Sequence, residues 1–330
     1  MTAPSPTNAR VVADTLAPRW RGQRQRLEVW YATWSDPETG TGGWLHHELV
    51  APVEGDPYVH GWAAVFPADD KPIVERFGRA SFGSADGQVG DGGMWPSLAD
   101  AVLEPPVLRG QAGRLAWDLR WDDGEDGPAA PLFTFPQWAW AKETLPGAQI
   151  VPVPTARFAG SLTVDGASTA LSSSACGNVA HIYGHGNAER WGWLHAELGG
   201  GDVLEIVAAV SRRPGLDRLP PLALVQLRAG GRDWPRDPLV AAPLFRTTLG
   251  LPAWTVRGTV GRWRLRVEIE LPEERSAAIG YEDPDGATAT CTNSEVADAQ
   301  IVLEHRRRRW ETASSWTLRG RAHSEVGLRP

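Results

Sequence analysis

Hydrophobic and polar residues alternate along much of this chain. Between positions 115 and 121, leucine and tryptophan occupy every second place, and alanine, aspartate and arginine stand between them. Residues 263–271 repeat the pattern, with apolar side chains alternating with arginine and glutamate. A period of two is typical of a strand that has one face in a core and the other in water. The same interpretation applies to segments 26–34, 43–51, 58–66 and 222–228.

Turn-forming residues separate these segments. Asp-Pro or Asp-Gly pairs occur at 36–37, 165–166 and 285–286, and the 36 glycines and 27 prolines leave little room for long helices. Short helices are expected only near 97–103 and 294–299. Many short strands joined by turns indicate an all-β protein built from barrels or sandwiches.

One heptapeptide occurs twice. Residues 43–49 read Gly-Trp-Leu-His-His-Glu-Leu, and residues 192–198 read Gly-Trp-Leu-His-Ala-Glu-Leu. Residues 113–117 and 261–265 also resemble each other at almost the same offset and in the same order along the chain. Recurrence at such a long period indicates a duplicated domain, not a solenoid repeat. We therefore expect two similar halves, each with Trp-Xaa-His-Xaa-Glu at one structural position.

The junction between the halves is predicted from proline. Pro152 and Pro154 stand at alternate positions, where each would remove a hydrogen bond from a regular sheet. We therefore predict a Pro-rich linker over 149–154, between a first β domain over 15–148 and a second over 155–330. Residues 1–14 are predicted to be a disordered tail.

Charge and composition narrow the class of protein. The 330 residues include 33 basic and 40 acidic side chains, and the net charge of −7 argues against a general nucleic-acid binder. The four arginines at 306–309 are the local exception, and we interpret them as a solvated strand end or loop. No apolar run is long enough to span a membrane, and the N-terminus lacks the apolar stretch of a signal peptide, so we expect a cytoplasmic protein. The two cysteines could pair or stay thiols, and they are too few for a disulfide framework.

Seventeen tryptophans are more than two cores of this size need. If the heptapeptide is a strand, Trp44, His46 and Glu48 share one face, and the leucines take the other. The second copy repeats this face with Trp191, Trp193, His195 and Glu197. Aromatic, imidazole and carboxylate groups together are typical of a ligand cavity. We therefore hypothesise an aromatic-lined cavity for a large apolar ligand, with Trp62 as a further part of its wall.

Three polar side chains capable of proton transfer precede the second copy. His181, Tyr183 and His185 share a face if their segment is extended, and Asn187 follows them. Because histidine can act as a general acid or base near neutral pH, His181, His185 and His195 are candidate catalytic residues. The second domain is therefore the expected location of the site.

The sequence predicts neither a metal nor an organic cofactor. His46 with Glu48, and His195 with Glu197, could each offer two metal ligands. However, the pairs fall in different predicted domains, and neither has a third ligand at metal-binding spacing. There is no glycine-rich phosphate-binding motif, and the serines at 172–174 lack the context of a nucleophile elbow.

The segment from Gly177 to Trp193 resembles a family signature. It reads Gly…His…Gly-His-Gly-Asn-Ala-Glu-Arg-Trp-Gly-Trp, similar to the His/Asn-Trp-Gly…Trp pattern of the AttH-like lipocalin superfamily. That superfamily includes carotenoid 1,2-hydratases (hydroxyneurosporene synthases), tocopherol-cyclase-like proteins and two-domain Diels–Alderases. Here three residues separate Asn187 from Trp191, where related sequences often have Asn or His directly before Trp-Gly. The resemblance implies two tandem lipocalin-like, calycin-type antiparallel β-barrels or strongly curved sandwiches.

The resemblance also implies cofactor-free chemistry on a hydrophobic metabolite. The expected function is a cyclase or isomerase, pericyclic chemistry included, that acts on a polyene, isoprenoid or polyketide-like molecule of secondary metabolism. Its cavity is expected at or between the barrels. Glu197 and Glu48 are the candidate acids, with His195, His181 or His185 as partners. The substrate-binding candidates are Trp191, Trp193, Tyr183, Asn187, Trp44, His46, Glu48 and Trp62.

Two alternatives stay open. An isoprenoid or carotenoid alkene hydratase would use the same residues to add water. A non-catalytic carrier of a lipid or pigment would need only the apolar cavity. In each case we expect a hydrophobic small-molecule partner, no nucleic acid and no membrane span, in a monomer or a homodimer.

Overall fold

The computed structural model describes residues 6–81, 97–122, 129–142, 145 and 147–329, and it is mostly β. The elements of the first part are α1 (Pro6–Leu16), β1 (Arg26–Asp36), β2 (Thr41–Ala51), β3 (Tyr58–Phe66), β4 (Ile73–Ser81), β5 (Ala101–Glu104), β6 (Val107–Ala112), β7 (Leu115–Asp122), β8 (Leu132–Phe133), α2 (Gln137–Ala141), β9 (Gly147–Val164), β10 (Ala167–Ala170) and β11 (Cys176–Gly184). Those of the second part are β12 (Arg190–Gly199), β13 (Asp202–Val210), β14 (Leu222–Ala229), β15 (Arg232–Trp234), α3 (Pro238–Ala241), a 3-10 turn (Ala242–Leu244), β16 (Phe245–Thr248), β17 (Ala253–Val260), β18 (Trp263–Glu270), a second 3-10 turn (Glu273–Arg275), β19 (Ala277–Glu282), β20 (Thr288–Arg306) and β21 (Trp310–Leu328).

The chain divides into two compact units, each built on one antiparallel sheet. Unit 1 comprises the described residues within 1–132, 143–186 and 282–287, and unit 2 comprises those within 133–142, 187–281 and 288–330. The first sheet has the order β4-β3-β2-β1-β11-β9-β7-β6-β5, with β8 and β10 pairing with β9. The second has the order β15-β14-β13-β12-β21-β20-β18-β17-β16, with β19 pairing with β20.

Both sheets curve strongly. In the first sheet β4 contacts β6, and in the second β14 contacts β16, so strands near opposite edges approach each other. One sheet is a nearly closed barrel, and the other is an open curved sheet. The predicted fold class is confirmed.

The two sheets have the same strand order. Position by position, β1 corresponds to β12, β2 to β13, β7 to β18 and β11 to β21. The similar segments at 113–117 and 261–265 lie at the starts of β7 and β18, which are equivalent strands. The internal duplication is therefore visible in the topology.

The two heptapeptides, however, do not lie on equivalent strands. The first is in β2 and the second is in β12, whereas the counterpart of β2 is β13. The prediction of one shared structural position is wrong. Neighbouring strands of one sheet need the same alternation of core-facing and opposite-facing side chains, so either strand accepts this string.

Each unit has a hydrophobic core on one face of its sheet. Trp30, Leu45 and Trp117 belong to the core of unit 1, and Leu194 and Leu265 belong to the core of unit 2. The predicted period of two is confirmed in β7 and along most of β18, where buried and exposed residues alternate. The heptapeptides thus point their leucines towards the cores, as predicted, together with His47, which packs against Phe77, and Ala196. Their Trp, the other His and the Glu take the opposite face.

The predicted linker is part of a strand. Residues 149–154 lie within β9, and residues 143–186 belong to unit 1. Apart from the short segments 133–142 and 282–287, the chain changes from unit 1 to unit 2 after residue 186. The pairing of β9 with β11 is irregular on both sides of Val153. Pro152 and Pro154 flank Val153, so they lie where regular ladder hydrogen bonds are interrupted, which is where a sheet accepts proline.

Two other expectations about local structure are corrected. The predicted disordered tail contains most of α1, because Val12 and Leu16, one helical turn apart, are buried in the core of unit 1. Residues 1–5 of that tail lie outside the described residues. The segments expected to be short helices instead contribute to β5 and β20.

None of the described helices is long and apolar enough to cross a membrane. Cys176 lies in β11 and Cys291 in β20, and both remain thiols.

Candidate functional site

The motif in β2 places its polar side chains on the sheet face opposite the core. Trp44, His46 and Glu48 share this face with His60 and Trp62 of β3, and we call these five residues the unit 1 polar face. His46 stands directly opposite Trp62, and Glu48 stands opposite His60, so the side chains of each pair are neighbours. All five are buried.

Imidazoles hold the Glu48 carboxylate from two sides. Nε2 of His46 lies 2.9 Å from Oε2 of Glu48, and Nε2 of His60 lies 3.4 Å from Oε1. Arg76 donates a hydrogen bond of 2.9 Å to Nδ1 of His60, so Nε2 of that ring carries the proton facing Glu48. The guanidinium of Arg76 also lies 5.3 Å from the centre of the Trp62 ring.

The two imidazoles determine the charge of Glu48. Burial alone would raise its pKa, but the electrostatic attraction and hydrogen bonds of His60 and His46 outweigh burial and lower the pKa to about 2. Glu48 is therefore a carboxylate at neutral pH and has no proton to donate. This geometry argues against a role as general acid.

His181 belongs to a separate network on the core side of the first sheet. Its Nε2 lies 2.9 Å from Oε1 of Glu28, and its Nδ1 lies 2.6 Å from the carbonyl oxygen of Thr15. Glu28 also accepts hydrogen bonds from two backbone N–H groups of the segment after α1. Trp30 stacks on the His181 ring at 4.5 Å. These contacts tie the N-terminal segment to β1 and β11, which is a structural role.

The neighbouring candidates lie at one edge of unit 1. β11 ends one residue before His185, so His185 is exposed, and Arg26 lies 2.9 Å from its Nδ1. The same guanidinium lies 5.9 Å from the centre of the Tyr183 ring, which is buried. Asn187 is half-buried at the start of unit 2. The predicted alternation therefore holds for His181 and Tyr183 but fails at His185, because strand pairing has stopped.

A second polar face lies opposite the core of unit 2. Its members come from four adjacent strands: Trp191, Trp193 and His195 of β12, Glu205 of β13, Asn293 and Glu295 of β20, and His323 and Glu325 of β21. We call these residues the unit 2 polar face. Glu197, the last polar residue of the motif, is half-buried near the end of β12.

Glu205 orients His195. Its carboxylate accepts a hydrogen bond of 2.6 Å from the indole N–H of Trp193 and one of 2.9 Å from Nδ1 of His195. In the neutral form of this imidazole the proton is therefore held on Nδ1, and the lone pair is left on Nε2. Within the described residues, that Nε2 has no hydrogen-bond partner. In that form, Nε2 is available as a proton acceptor.

A glycine positions Trp191. Its ring lies against Gly327, directly opposite on β21, where a Cβ atom would come within 2.1 Å of the ring. In this position the indole N–H donates to Glu325 over 2.7 Å. Any larger residue at 327 would displace Trp191 from the unit 2 polar face.

Glu295 is the buried acid of this face. It is 0 % exposed, and neither carboxyl oxygen has a well-aligned hydrogen bond in the part of the chain that the structure describes. Nδ1 of His323 lies 3.6 Å from Oε2 of Glu295. Burial, and after it the charge of Glu325, raise the pKa of Glu295 well above its ordinary value, although Asn293 opposes this effect. The protonated carboxylic acid is therefore favoured.

His323 connects the acid to the base. Burial, and then the neighbouring His195, lower the pKa of His323 well below its ordinary value, so this imidazole is neutral. Its ring stacks on His195 with centres 5.9 Å apart. Glu295 can donate a proton and Nε2 of His195 can accept one, which is the division of roles that general acid–base catalysis requires.

Neither a metal centre nor a tryptophan-lined cavity is among the described features. In the described segments, no three His, Cys, Asp or Glu side chains are placed to hold a metal ion. Two surface depressions of unit 1, about 650 and 610 Å³ in volume, have linings without tryptophan. Neither is the cavity expected from the sequence, which stays a prediction.

His195 is a candidate that the sequence predicts, whereas its partners Glu205, Glu295 and His323 are not predicted from the sequence. One indication was present for Glu205, which is the only charged residue between positions 203 and 210. A lone carboxylate within an apolar strand must find a polar partner when it is buried. Glu295 and His323 stand on long strands with polar residues on both faces, so alternation does not distinguish them.

A family model described as tocopherol cyclase-like matches residues 135–328, more than half of the chain. The chain belongs to the tocopherol cyclase-like family. The match includes every residue of the unit 2 polar face, and it confirms the resemblance found in the sequence. A relative from Mycobacterium tuberculosis, described as an uncharacterized protein, is 51% identical over 312 residues, which are 94% of this chain and 89% of the relative.

Solved structures share the fold of this tocopherol cyclase-like chain at low sequence identity. Kievitone hydratase from Nectria haematococca is 12% identical with a TM-score of 0.54, covering 92% of this chain and 88% of the hydratase. The structure of CghA with Sch210972 is 13% identical with a TM-score of 0.59 and the same coverages, 92% and 88%. At these identities the likeness establishes the fold alone.

Proposed function

We propose that this protein is a cofactor-independent cyclase or isomerase of a hydrophobic polyene, isoprenoid or polyketide-like metabolite. The observation that carries the proposal is the fully buried carboxyl group of Glu295, which lacks a well-aligned hydrogen bond among the described residues and lies on a face that also presents tryptophan and imidazole. A carboxyl group kept protonated by its surroundings is a general acid suited to neutral pH. The family name supports the reaction class, since it refers to a cyclase.

The proposed reaction begins and ends with a proton. The carboxyl O–H of Glu295 breaks, a C–H bond forms at one alkene carbon of the substrate, and the other alkene carbon becomes cationic. A second double bond or a hydroxyl oxygen of the same molecule attacks that cation and closes a ring. Nε2 of His195 takes the proton that is then released. Return of this proton to Glu295, with His323 beside both groups, restores the enzyme without a net change in composition.

The surrounding side chains support this sequence of steps. The rings of Trp191 and Trp193 can stabilise a developing cation, which contributes about 2 kcal/mol at a desolvated site. Glu205 holds His195 in the required tautomer. We also propose, as expected from the sequence, that the partner is a hydrophobic small molecule and that the protein is cytoplasmic.

The experiment is a conversion assay with squalene, lycopene and a prenylated hydroquinone, followed by mass spectrometry of the products. We expect a product of unchanged mass and a fall in turnover of about 10²–10⁴-fold in both Glu295→Gln and His195→Ala. The matched control is Glu48→Gln, which removes a buried carboxylate from unit 1 and should retain turnover in the folded fraction.

Each other outcome rejects part of the proposal. A product heavier by one water would show that water captures the cation, and the protein would be an alkene hydratase. Tight binding without conversion, with quenching of tryptophan fluorescence, would show a carrier. Full turnover in Glu295→Gln would remove Glu295 as the acid and leave Glu197 as the next candidate.

A further inference from the structure

Arginine is concentrated at one end of the unit 2 sheet. Residues 262–266 and 304–311 contain seven arginines and two glutamates, in a chain whose net charge is −7. The two segments are neighbours, because Trp263 stands opposite His305 and the backbone N–H of Arg306 donates to the carbonyl of residue 262. We call these two segments the basic end.

The two glutamates leave most of this charge unbalanced. Glu304 is shared by Arg264, at 2.6 Å, and Arg266, at 3.5 Å. Glu311 lies 3.7 Å from Arg309 in an exposed pair, which water and salt weaken. The remaining arginines of the turn between β20 and β21 are exposed, and the described residues show no acidic partner for their side chains.

A row of arginines extends the charge across the sheet. Arg246, Arg257 and Arg266 stand directly opposite one another on β16, β17 and β18, and all three are exposed. Like charges at directly opposed positions destabilise a sheet. An external anionic surface would offset this repulsion.

Exposed apolar side chains stand at the same end. Val240 of α3 is 74 % exposed, and Leu244, directly before β16, is 53 % exposed. Trp310, the first residue of β21, is half-buried, with the guanidinium of Arg264 4.5 Å from its ring centre. Arginine, tryptophan and exposed aliphatic side chains together match the layers of a bilayer surface: anionic headgroups outside and acyl chains beneath.

We propose that the basic end of unit 2, with Val240 and Leu244, docks on the surface of an anionic lipid bilayer. The charge argues for an anionic partner, and the exposed aliphatic residues argue for lipid over nucleic acid, since phosphate backbones offer them no apolar contact. The docking would bring the protein to the phase in which a hydrophobic substrate dissolves. It concerns binding alone and does not depend on the proposed reaction.

The test is co-sedimentation of the full chain with vesicles of equal parts phosphatidylcholine and phosphatidylglycerol. We expect binding to these vesicles, little binding to pure phosphatidylcholine, and release when ionic strength shortens the screening length from about 10 Å at 0.1 M to about 3 Å at 1 M salt. The double variant Arg307→Glu/Arg308→Glu should bind at least about 25-fold more weakly, since each basic residue near an anionic surface contributes about fivefold.

The matched control is Arg213→Glu/Arg218→Glu, an equal charge change in the loop between β13 and β14 at the opposite end of the sheet. It should bind like the unmodified protein apart from a small effect of net charge. Three outcomes would each overturn the proposal. The two variants could lose vesicle binding equally, or the unmodified protein could bind neutral and anionic vesicles equally. The protein could also retain duplex DNA in a gel shift without binding vesicles. Circular dichroism should show that both variants are folded, because all four arginines are in turns or loops.

Discussion

The two polar faces contain the same kinds of side chain, yet they place their carboxyl groups in opposite charge states. Glu48 in unit 1 and Glu295 in unit 2 are 2 % and 0 % exposed, so burial is nearly equal. The pKa of Glu48 is lowered to about 2, whereas the pKa of Glu295 is raised well above its ordinary value. Burial alone therefore does not determine the charge of a carboxyl group in this fold.

The partners account for the difference. Two imidazoles lie within 3.4 Å of Glu48, and both favour its ionised form. Glu295 has one imidazole at 3.6 Å, from a His323 that is itself neutral, and a nearby carboxylate that opposes a second negative charge. One face is a closed ion-pair network, and the other keeps a proton available for transfer.

The strand position of the repeated motif explains how the partners diverged. In β2 the motif lies beside β3, which supplies His60 to its glutamate. In β12 the motif lies between β13 and β21, which supply Glu205 and His323 to its histidine. Two heptapeptides that share six of their seven residues thus acquire different chemistry, because neighbouring strands provide the other members of each polar face.

The largest expected effect tests whether His181, which is buried in unit 1, is structural. His181→Ala removes the partner of a fully buried carboxylate and should lower the free energy of unfolding by about 3–5 kcal/mol. Turnover per folded molecule should stay unchanged, whereas His195→Ala should lose turnover. Urea denaturation and a turnover assay on the folded fraction provide the two measurements. Loss of turnover in fully folded His181→Ala protein would show that the two units share the chemistry.

The next effect concerns the contacts of Glu48 with His46 and His60 in unit 1. The folded pKa of Glu48 is depressed from 4.5 to about 2, so its contribution to stability is present above about pH 4.5 and is lost as the pH falls towards 2. Integrated over this window, the contribution is about 3 kcal/mol. Glu48→Gln should therefore lower the free energy of unfolding by about this amount at neutral pH, and the two proteins should converge in acid. Free energies of unfolding of the two proteins, measured by urea denaturation, are compared across the pH range. If they changed in parallel, the ionised state assigned to Glu48 in the folded protein would be contradicted.

The strands could be predicted from the sequence because their determinants are local. The alternation at 115–121 and the boundaries of β3 follow from the order of apolar residues alone. The face carried by Trp44, His46 and Glu48 follows from the same period. These predictions need only the pleat of one strand and no knowledge of its neighbours.

The partners could not be predicted, because they depend on register. A β-bulge between Ser294 and Ala297 shifts the pairing of β20 with β21 at Glu295. The bulge interrupts the alternation, which is why residues 294–299 resembled a short helix in sequence. For the same reason, the sequence does not predict that Pro152 and Pro154 lie within a strand. They lie within β9 because irregular pairing tolerates them. Where strand pairing is irregular, the alternation of apolar and polar residues in the sequence no longer predicts which side chains contact each other.

The effect expected at Glu295 is smallest near pH 4.5, has the opposite pH dependence and separates the two faces most sharply. The folded pKa of Glu295 is raised, so above about pH 4.5 the folded protein holds a proton that the unfolded chain has released. Stability from this group is therefore complete below pH 4.5 and falls as the pH rises, by up to about 1.4 kcal/mol per pH unit.

Glu295→Gln keeps a neutral side chain of the same shape and should remove this slope. The variant should gain stability relative to the unmodified protein as the pH rises, whereas Glu48→Gln should lose most at neutral pH and least in acid. Free energies of unfolding from urea titrations, measured across the pH range for both variants, give the two slopes side by side. If Glu295→Gln instead lost stability with rising pH, Glu295 would be ionised in the folded protein, and the two faces would be ion-pair networks of the same kind.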